Sequence, residues 1–548
     1  MKLLKLKIEE KFRSLHEGFE IDFHTLEKQN EMNEFRPFCF AGLNGSGKSN
    51  VLEVLSNIFY HLELCGNKFK PEGFKGFFKP EESTPNSFEI LYLIGLKGEL
   101  SLKNENMVLV SISKERHQVP VMNIKNYPFS PNENWNNIPT VSTYEEPANS
   151  KAFLPDIIVG YSSGENQILS LPFMKTRLIR YDEYMQRLAN GGDYIEPESS
   201  LIYIDSEMSQ AVLLANLLFQ KEETLKPLKK ELGILGMNSF RVHLNLHRAN
   251  KEFKEPKIID ALESRLNKIK HCSTSWFEIN NRLVLDFLVD DEMKKAFRYH
   301  FDDAFDLFRF FQMLYELNHR VVDKEIKHEI YQTASYHLEG KLPIGGADDK
   351  VFHFIDFFIL KDIKGEKKPI DLLLRNFSDG EHQFLHSMGI LLLAKEKRSL
   401  FLLDEPETHF NPGWRAKFIK VLNDSIKASN SNNLLKDVLL TSHSPFIISD
   451  CKQDNVIYFE KNGTGEVEAK SATTSGFNTY GASVDLVLQE IFNMNHTISD
   501  HALEEINLLL GEETISTIIE GSKKFGESYE KGFLYAKIEE LKQKHNKK

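Results

Sequence analysis

Ala41-Gly42-Leu43-Asn44-Gly45-Ser46-Gly47-Lys48-Ser49-Asn50 decides the reading of this chain. From Gly42 to Ser49 the stretch fits the phosphate-loop pattern G-x-x-x-x-G-K-[ST]. Each residue type at that spacing has a task. Glycines let backbone N–H groups curl around phosphate oxygens with no Cβ in the way. The Lys48 ammonium reaches the β- and γ-phosphates, and the Ser49 hydroxyl helps hold Mg²⁺. The flanks agree. Phe38-Cys39-Phe40-Ala41 has the character of a short buried strand, and Val51, Leu52, Leu55, Ile58 and Phe59 recur at helical spacing. Strand, loop and helix in that order put phosphates at a helix N-terminus, where free N–H groups and the helix dipole favour anions. The run Gly42, Leu43, Asn44, Gly45, Ser46, Gly47, Lys48, Ser49 and Asn50 is therefore the expected nucleotide cradle.

Far downstream, Ser399-Leu400-Phe401-Leu402-Leu403-Asp404-Glu405-Pro406 is an apolar strand ending in two acids. In phosphate-loop ATPases the acid that ends such a strand supports Mg²⁺, and Asp404 fits that role. Side chains alternate along a strand, so Glu405 is expected to point elsewhere, free to act as general base toward the attacking water. Upstream lies Phe377-Ser378-Asp379-Gly380-Glu381-His382-Gln383, followed by an apolar helical pattern of Phe384, Leu385, Met388 and Leu392. A Ser hydroxyl, a Gly N–H and a helix N-terminus make a second anion site. Val438-Leu439-Leu440-Thr441-Ser442-His443-Ser444-Pro445 is another strand, ending near a histidine.

Asp404 lies 356 residues after Lys48 and 26 after Ser378. Compact ring-forming ATPases keep their two acid and lysine motifs much closer. The wide spacing and the order of the motifs resemble the ABC/SMC-type ATPase heads, whose sheet is built from both ends of the chain. Phe377 to Gln383 looks like that superfamily's signature, which implies nucleotide contacts from Ser378, Gly380 and Glu381. Pro406 to Pro412 resembles its D-loop, and His443 is similar to its switch histidine, a γ-phosphate contact. The motif-bearing parts, about 1–60 and 370–460, also resemble the restriction-system-associated AAA family ATPases of prokaryotic defence, and less closely the ATPase halves of the OLD and Septu types. The resemblance implies an ATPase with ATP and Mg²⁺ as cofactors. It implies an ATP-dependent homodimer or higher oligomer that licenses a separate nuclease or effector. A RecF-like DNA-repair clamp is the alternative. OLD-type proteins append a nuclease with clustered acids, whereas no D-x-D follows Val456-Ile457-Tyr458-Phe459-Glu460.

The expected fold class is α/β, a phosphate-loop NTPase of ABC/SMC-head type with a mainly helical insertion lobe. The divisions are 1–205 for the first part of the head, 206–345 for the insertion, 346–470 for the second part and 471–548 for a helical tail. Residues 114–150, rich in Asn, Pro, Ser and Glu, are expected as a surface excursion. Net charge is −12, which argues against a chain wrapped wholly in nucleic acid. Residues 221–270 nevertheless hold twelve Lys/Arg against seven Asp/Glu, so a DNA contact there competes with a merely solvated face. No apolar run is long enough to span a bilayer. The N-terminus alternates polar and apolar residues like a strand, and Cys39, Cys65, Cys272 and Cys451 lack paired spacing, so a cytoplasmic protein with reduced thiols is expected. Ser162-Ser163-Gly164-Glu165-Asn166-Gln167 repeats the S-x-G-E-x-Q pattern of Ser378 to Gln383. With no second phosphate loop, Gln167 is instead a candidate Q-loop residue sensing Mg²⁺.

Overall fold

The computed structural model describes the chain except residues 28–33, 97–106, 129–133, 143–147, 164–167, 191–198, 206–207, 247–256, 335–341, 344–345, 347–348, 364, 395–397, 429–435, 475 and 547–548. Gln167 and most of its loop lie outside the described residues.

Strands from both halves of the sequence build one seven-stranded sheet. Its members are β3 (Phe38–Gly42), β8 (Ile157–Ser162), β9 (Leu201–Tyr203), β15 (Ser399–Asp404), β16 (Lys436–Thr441), β17 (Val456–Lys461) and β18 (Val467–Ser471). They lie in the order β18-β17-β3-β16-β15-β8-β9, parallel except for β18. Every residue of β3, β8, β15 and β16 is buried, as expected of parallel strands covered on both faces. Register decides where the chemistry sits. Asp404 pairs with Thr441 on one side and Ser162 on the other, and β3 beside them delivers Gly42. The polar groups thus line up at the carboxyl edge of the sheet, the usual ligand edge of an open α/β sheet.

A six-stranded antiparallel sheet covers one side of this core, in the order β2-β1-β4-β5-β6-β7. Its strands are β1 (Lys2–Ile8), β2 (Glu20–Asp22), β4 (Phe88–Gly95), β5 (Met107–Lys114), β6 (Val121–Tyr127) and β7 (Asn136–Ile138). The helix Lys48–Gly66 is sandwiched between the two sheets. Val51, Leu55 and Ile58 share one apolar cluster with Leu6, Ile90 and Val110 of the antiparallel sheet and with Leu400, Leu402 and Leu439 of the parallel one. Burying each such side chain contributes roughly 1.5–3 kcal/mol, which anchors the loop that precedes the helix. The surface excursion expected over 114–150 is corrected here. Within it, residues 121–127 and 136–138 are strands: Met122 and Tyr127 are buried and β6 pairs with β5 over seven residues, while residues 129–133 and 143–147 lie outside the described residues.

Residues 206–345 carry helices such as Ser209–Phe219 and Ala304–Glu316, and also three strands absent from the sequence reading. These are β10 (Ile234–Asn245), β11 (Ser275–Ile279) and β12 (Arg282–Leu288), which join β13 (Phe352–Lys361) and β14 (Ile370–Leu373) in the order β11-β12-β10-β13-β14. Asn280 and Asn281, both at positive φ, make the two-residue turn between β11 and β12, a conformation Asn tolerates better than most residues. The sheet straddles the expected 345/346 division. Phe240, Val242, Leu285 and Phe287 pack inward with Phe308 and Phe311, in the same cluster as Phe401, Leu403 and Val438 from the other face of the parallel sheet.

The end of the chain is helical. Asp500–Leu510, Ile515–Ser522 and Tyr529–Asn546 close around a cluster of their own, Ile506, Ile518, Leu534, Ile538 and Leu541. Among the described residues, no helix is long and apolar enough to cross a membrane.

Candidate nucleotide site

The loop 43–47 leaves β3 and enters the helix Lys48–Gly66. Gly42, which ends β3, and Gly47 are needed for shape. Gly42 has φ 141°, and a Cβ there would sit 2.3 Å from the Phe459 carbonyl oxygen. Gly47, the residue before the helix, has φ 94°, and a Cβ would press on the Ser14 hydroxyl at 2.9 Å. The Lys48 ammonium turns back over the loop and donates to the Gly42 and Leu43 carbonyls, each at 2.9 Å. Burial lowers its pKa to about 8, against the opposing pull of Glu405 and Asp404. Ser46 Oγ is buried with no hydrogen-bond partner among the described residues, a polar atom inside the loop suited to a phosphate oxygen.

Asp404 is 1% exposed and is the hub of the sheet edge. Its Oδ1 accepts from Ser49 Oγ and from Thr441 Oγ1, both at 2.7 Å, and its Oδ2 accepts from Ser162 Oγ at 3.3 Å. Burial raises its pKa, and the hydroxyl donors pull the other way. A hydroxyl beside a carboxylate is the hard oxygen pair that Mg²⁺ takes from protein when phosphates and water supply the rest. Ser49 and Asp404 fit that donor chemistry.

Glu405 diverges from Asp404, but not by the alternation expected from the sequence. The strand stops at Asp404, and Glu405 adopts a left-handed φ of 47°. Its N–H donates to Thr441 Oγ1 at 3.0 Å, and its carbonyl accepts from Thr408 Oγ1 at 3.0 Å. The carboxylate, 36% exposed, lies 3.5 Å from His443 Nε2. Burial, and next the charge of Lys48, lower the His443 pKa to about 4, so this imidazole is neutral at pH 7. Its ring centroid lies 5.9 Å from that of Phe492, which the tail contributes.

Ser378, Gly380 and Glu381 form a second group at the start of the helix Asp379–Leu393. Ser378 and Glu381 make a reciprocal capping box: the hydroxyl accepts from the Glu381 N–H, and the carboxylate accepts from the Ser378 N–H at 2.9 Å. Lys361, at the end of β13, bonds Glu381 and lies 4.1 Å over the Phe377 ring. Burial alone would raise the Glu381 pKa, but Lys361 and Ser378 together bring it below the usual value.

Several residues at this site were not read from the sequence. Thr441 orients Asp404 and Glu405 together, and the strand register was its available signal. Ser14, after β1, bonds Asn50 Oδ1 at 2.7 Å, while Arg13 bonds Glu53 at 3.0 Å, which places the segment 12–15 against the nucleotide loop's helix. Ser442 bonds Glu407, a buried carboxyl whose pKa burial pushes up to about 7. Leu201 to Asp205, which faintly echoes an acidic strand end, serves otherwise: Asp205 pairs with Arg177 at 2.7 Å.

Residues 366–449, which hold Ser378, Asp404, Glu405 and His443, match the family model described as AAA domain, putative AbiEii toxin, Type IV TA system. The fold is α/β, with the loop 42–49 and the matched residues at the carboxyl edge of one parallel sheet. The Septu protein PtuA of Bacillus thuringiensis is 22% identical over 159 residues, 28% of this chain. The chain thus spans only 38% of the length of that curated relative. Among solved structures, an SmcHead bound to the C-winged helix domain of ScpA is 12% identical, covering 87% of this chain and 99% of that one with a TM-score of 0.33. The recombination mediator protein RecF with ATP is 14% identical over 86% of this chain and 97% of that one, with a TM-score of 0.29. The fold assignment rests on the strand order and on the placement of the matched residues.

Proposed function

We propose that this protein binds and hydrolyses ATP with Mg²⁺ and acts as the switch or motor subunit of a prokaryotic defence system, licensing a separate nuclease or effector. One observation carries the ATPase reading. Asp404 ties the phosphate-loop serine to the strand end that bears Glu405, with His443 beside it. The similarity to PtuA supports the defence context.

In this reading the loop N–H groups and Lys48 hold the β- and γ-phosphates. Ser49 and Asp404 hold Mg²⁺, which supplies charge neutralisation on the phosphate oxygens. Glu405 accepts the proton of the attacking water, a contribution of about 10²–10⁴-fold for a positioned general base. Neutral His443 contacts the γ-phosphate. Gln167 remains a proposed Mg²⁺ sensor. Ser378, Gly380 and Glu381 close over the ATP of a partner protomer, so one self-complementary surface makes two composite sites. Loss of the γ-phosphate then loosens the interface.

Light scattering of full-length protein tests this. Glu405→Gln keeps ATP binding, slows turnover by about 100-fold, and accumulates ATP-dependent dimers. Ser378→Arg in that background leaves nucleotide binding to the protomer and abolishes the dimer. A mass independent of nucleotide, or normal turnover by the Ser378→Arg single variant, would refute the composite site. Turnover stimulated by DNA ends with no co-purifying nuclease would favour the clamp reading.

A further inference from the structure

We propose that Gln383 is a positioning residue that couples each protomer's signature helix to its own Glu405, so that closure over the partner's ATP sets the geometry of the water-activating carboxylate in cis. The inference rests on the ATPase reading and deepens it by linking the two composite sites.

Gln383 sits in the second turn of the helix Asp379–Leu393 and is 3% exposed. Both ends of its amide are used on one short turn. Oε1 accepts from the His409 N–H at 2.8 Å, and Nε2 donates to the Glu405 carbonyl at 3.4 Å. A single buried side chain therefore bridges the first and last residues of the segment 405–409.

The backbone approaches as closely as the side chain. Gly380 lies three residues earlier on the same helix face, and a Cβ there would stand 2.6 Å from the His409 carbonyl oxygen. The helix start and the turn consequently touch without an intervening side chain. Glu405 itself is held in a left-handed conformation, which is unfavourable for a residue other than Gly. Such a conformation persists only where the surroundings hold it. Thr408 holds it locally and Thr441 from the sheet, whereas Gln383 holds it from the signature helix.

Ser378 and Gln383 are five residues apart at the start of one helix, about 7.5 Å along its axis. A shift of that helix by ~1 Å would break a hydrogen bond of the Gln383 amide or carry the turn with it, since hydrogen bonds weaken steeply outside their normal range. In a symmetric dimer, Ser378 would read the partner's nucleotide while Gln383 grips the protomer's own Glu405. Each site then reports its occupancy to the other, and the coupling is reciprocal in binding.

Two substitutions in the full-length chain test this. Gln383→Met keeps nearly the same shape and loses both bonds. Gln383→Glu keeps the acceptor for His409 and loses the donor to Glu405. Fluorescent-nucleotide titration, melting and ATP turnover against ATP concentration are read for both. The expected result is an ATP affinity within ~2-fold of wild type, a kcat lowered by about 10-fold or more, and a Hill coefficient that falls to one, the size of effect seen when a catalytic group is misplaced by ~1 Å. Wild-type kcat and Hill coefficient in Gln383→Met would overturn the proposal. So would loss of folding in both variants, which would assign the residue to packing. If wild type hydrolyses ATP and dimerises while the variants behave like it, only this coupling falls; a wild type without ATP turnover removes the ATPase reading as well.

Discussion

The parallel seven-stranded sheet and the antiparallel five-stranded sheet share one hydrophobic cluster, but they offer different things to the surroundings. The first is covered on both faces. Its side chains are committed to packing, so only strand ends are free to specialise, and there Gly42, Ser162, Asp404 and Thr441 line up. The second is packed on one face, and its other face is open. That face carries Arg241 paired with Asp286 at 2.6 Å and exposed Phe277, Ile279 and Leu288. A shallow cavity of about 280 Å³ opens there, lined by Arg241, Thr274, Asp286, Leu288, Asp356 and Phe358. Buried strands localise chemistry to an edge, whereas a half-covered sheet displays a surface. The two meet at Lys361, where β13 ends and the Glu381 bond begins.

The largest expected effect tests whether nucleotide chemistry belongs to the parallel sheet's edge. Lys48→Ala removes a buried ammonium, and truncating one partner of a buried charge pair costs roughly 2–5 kcal/mol. Nucleotide affinity should fall by about 100-fold or more, read by fluorescent-nucleotide titration. In wild type, affinity should also decline as pH rises through about 8, because burial lowers the Lys48 pKa to that value and the neutral amine attracts phosphate poorly. Unchanged affinity in Lys48→Ala would break the assignment.

An intermediate effect probes the junction. Lys361→Met leaves the loop 43–47 untouched but frees Glu381, and with it the capping box at Ser378. ATP-driven dimerisation is expected to weaken by ~3–10-fold, in line with the 0.5–2 kcal/mol of a lost cap. Binding of ATP to the protomer should stay as in wild type. If association is unaltered, the five-stranded sheet does not set the signature helix.

The parallel sheet was legible because β15 and β16 are continuous apolar runs that end in diagnostic polar residues. The five-stranded sheet had a signal that the helices around it obscured. Phe240, Val242 and Leu244 alternate with Arg241 and His243, and Leu283, Leu285 and Phe287 alternate with Val284 and Asp286. That is the period of a half-buried strand. Asn280-Asn281 marked the turn between β11 and β12. At the site, residues that act through their own type could be found: Lys48, Ser49, Asp404, Glu405 and His443 come together. Residues that act through a neighbour's backbone could not. Gln383 bonds a carbonyl 22 residues away, and no sequence pattern encodes that. The divergence of Glu405 from Asp404 was expected from strand alternation, but it arises from a left-handed residue just beyond the strand.

A pH-dependent effect concerns Glu407, and it sharpens the contrast between a buried edge and an open face. One carboxyl oxygen accepts from Ser442, whereas Oε2 is buried with no hydrogen-bond partner among the described residues. Burial pushes the pKa up to about 7, with Ser442 opposing. In the unfolded chain a glutamate titrates near ~4.3. Between those values the folded state keeps a proton that the unfolded state has lost, so stability falls as pH rises through that window and levels off above it. A shift of this size corresponds to at most about 4 kcal/mol. Gln is neutral at every pH and of the same shape, so Glu407→Gln removes the slope. Thermal melts at pH 5, 6, 7 and 8 should show the variant gaining on wild type as pH rises, by a few degrees at the plateau. Asp286→Asn, which cuts the half-exposed Arg241 pair on the open sheet face, should change stability by under ~1 kcal/mol. A Glu407→Gln difference that is flat with pH would mean the carboxyl is already ionised in the folded protein at pH 6. The edge would then be wetter than its packing implies, and the contrast with the open sheet would narrow to geometry alone.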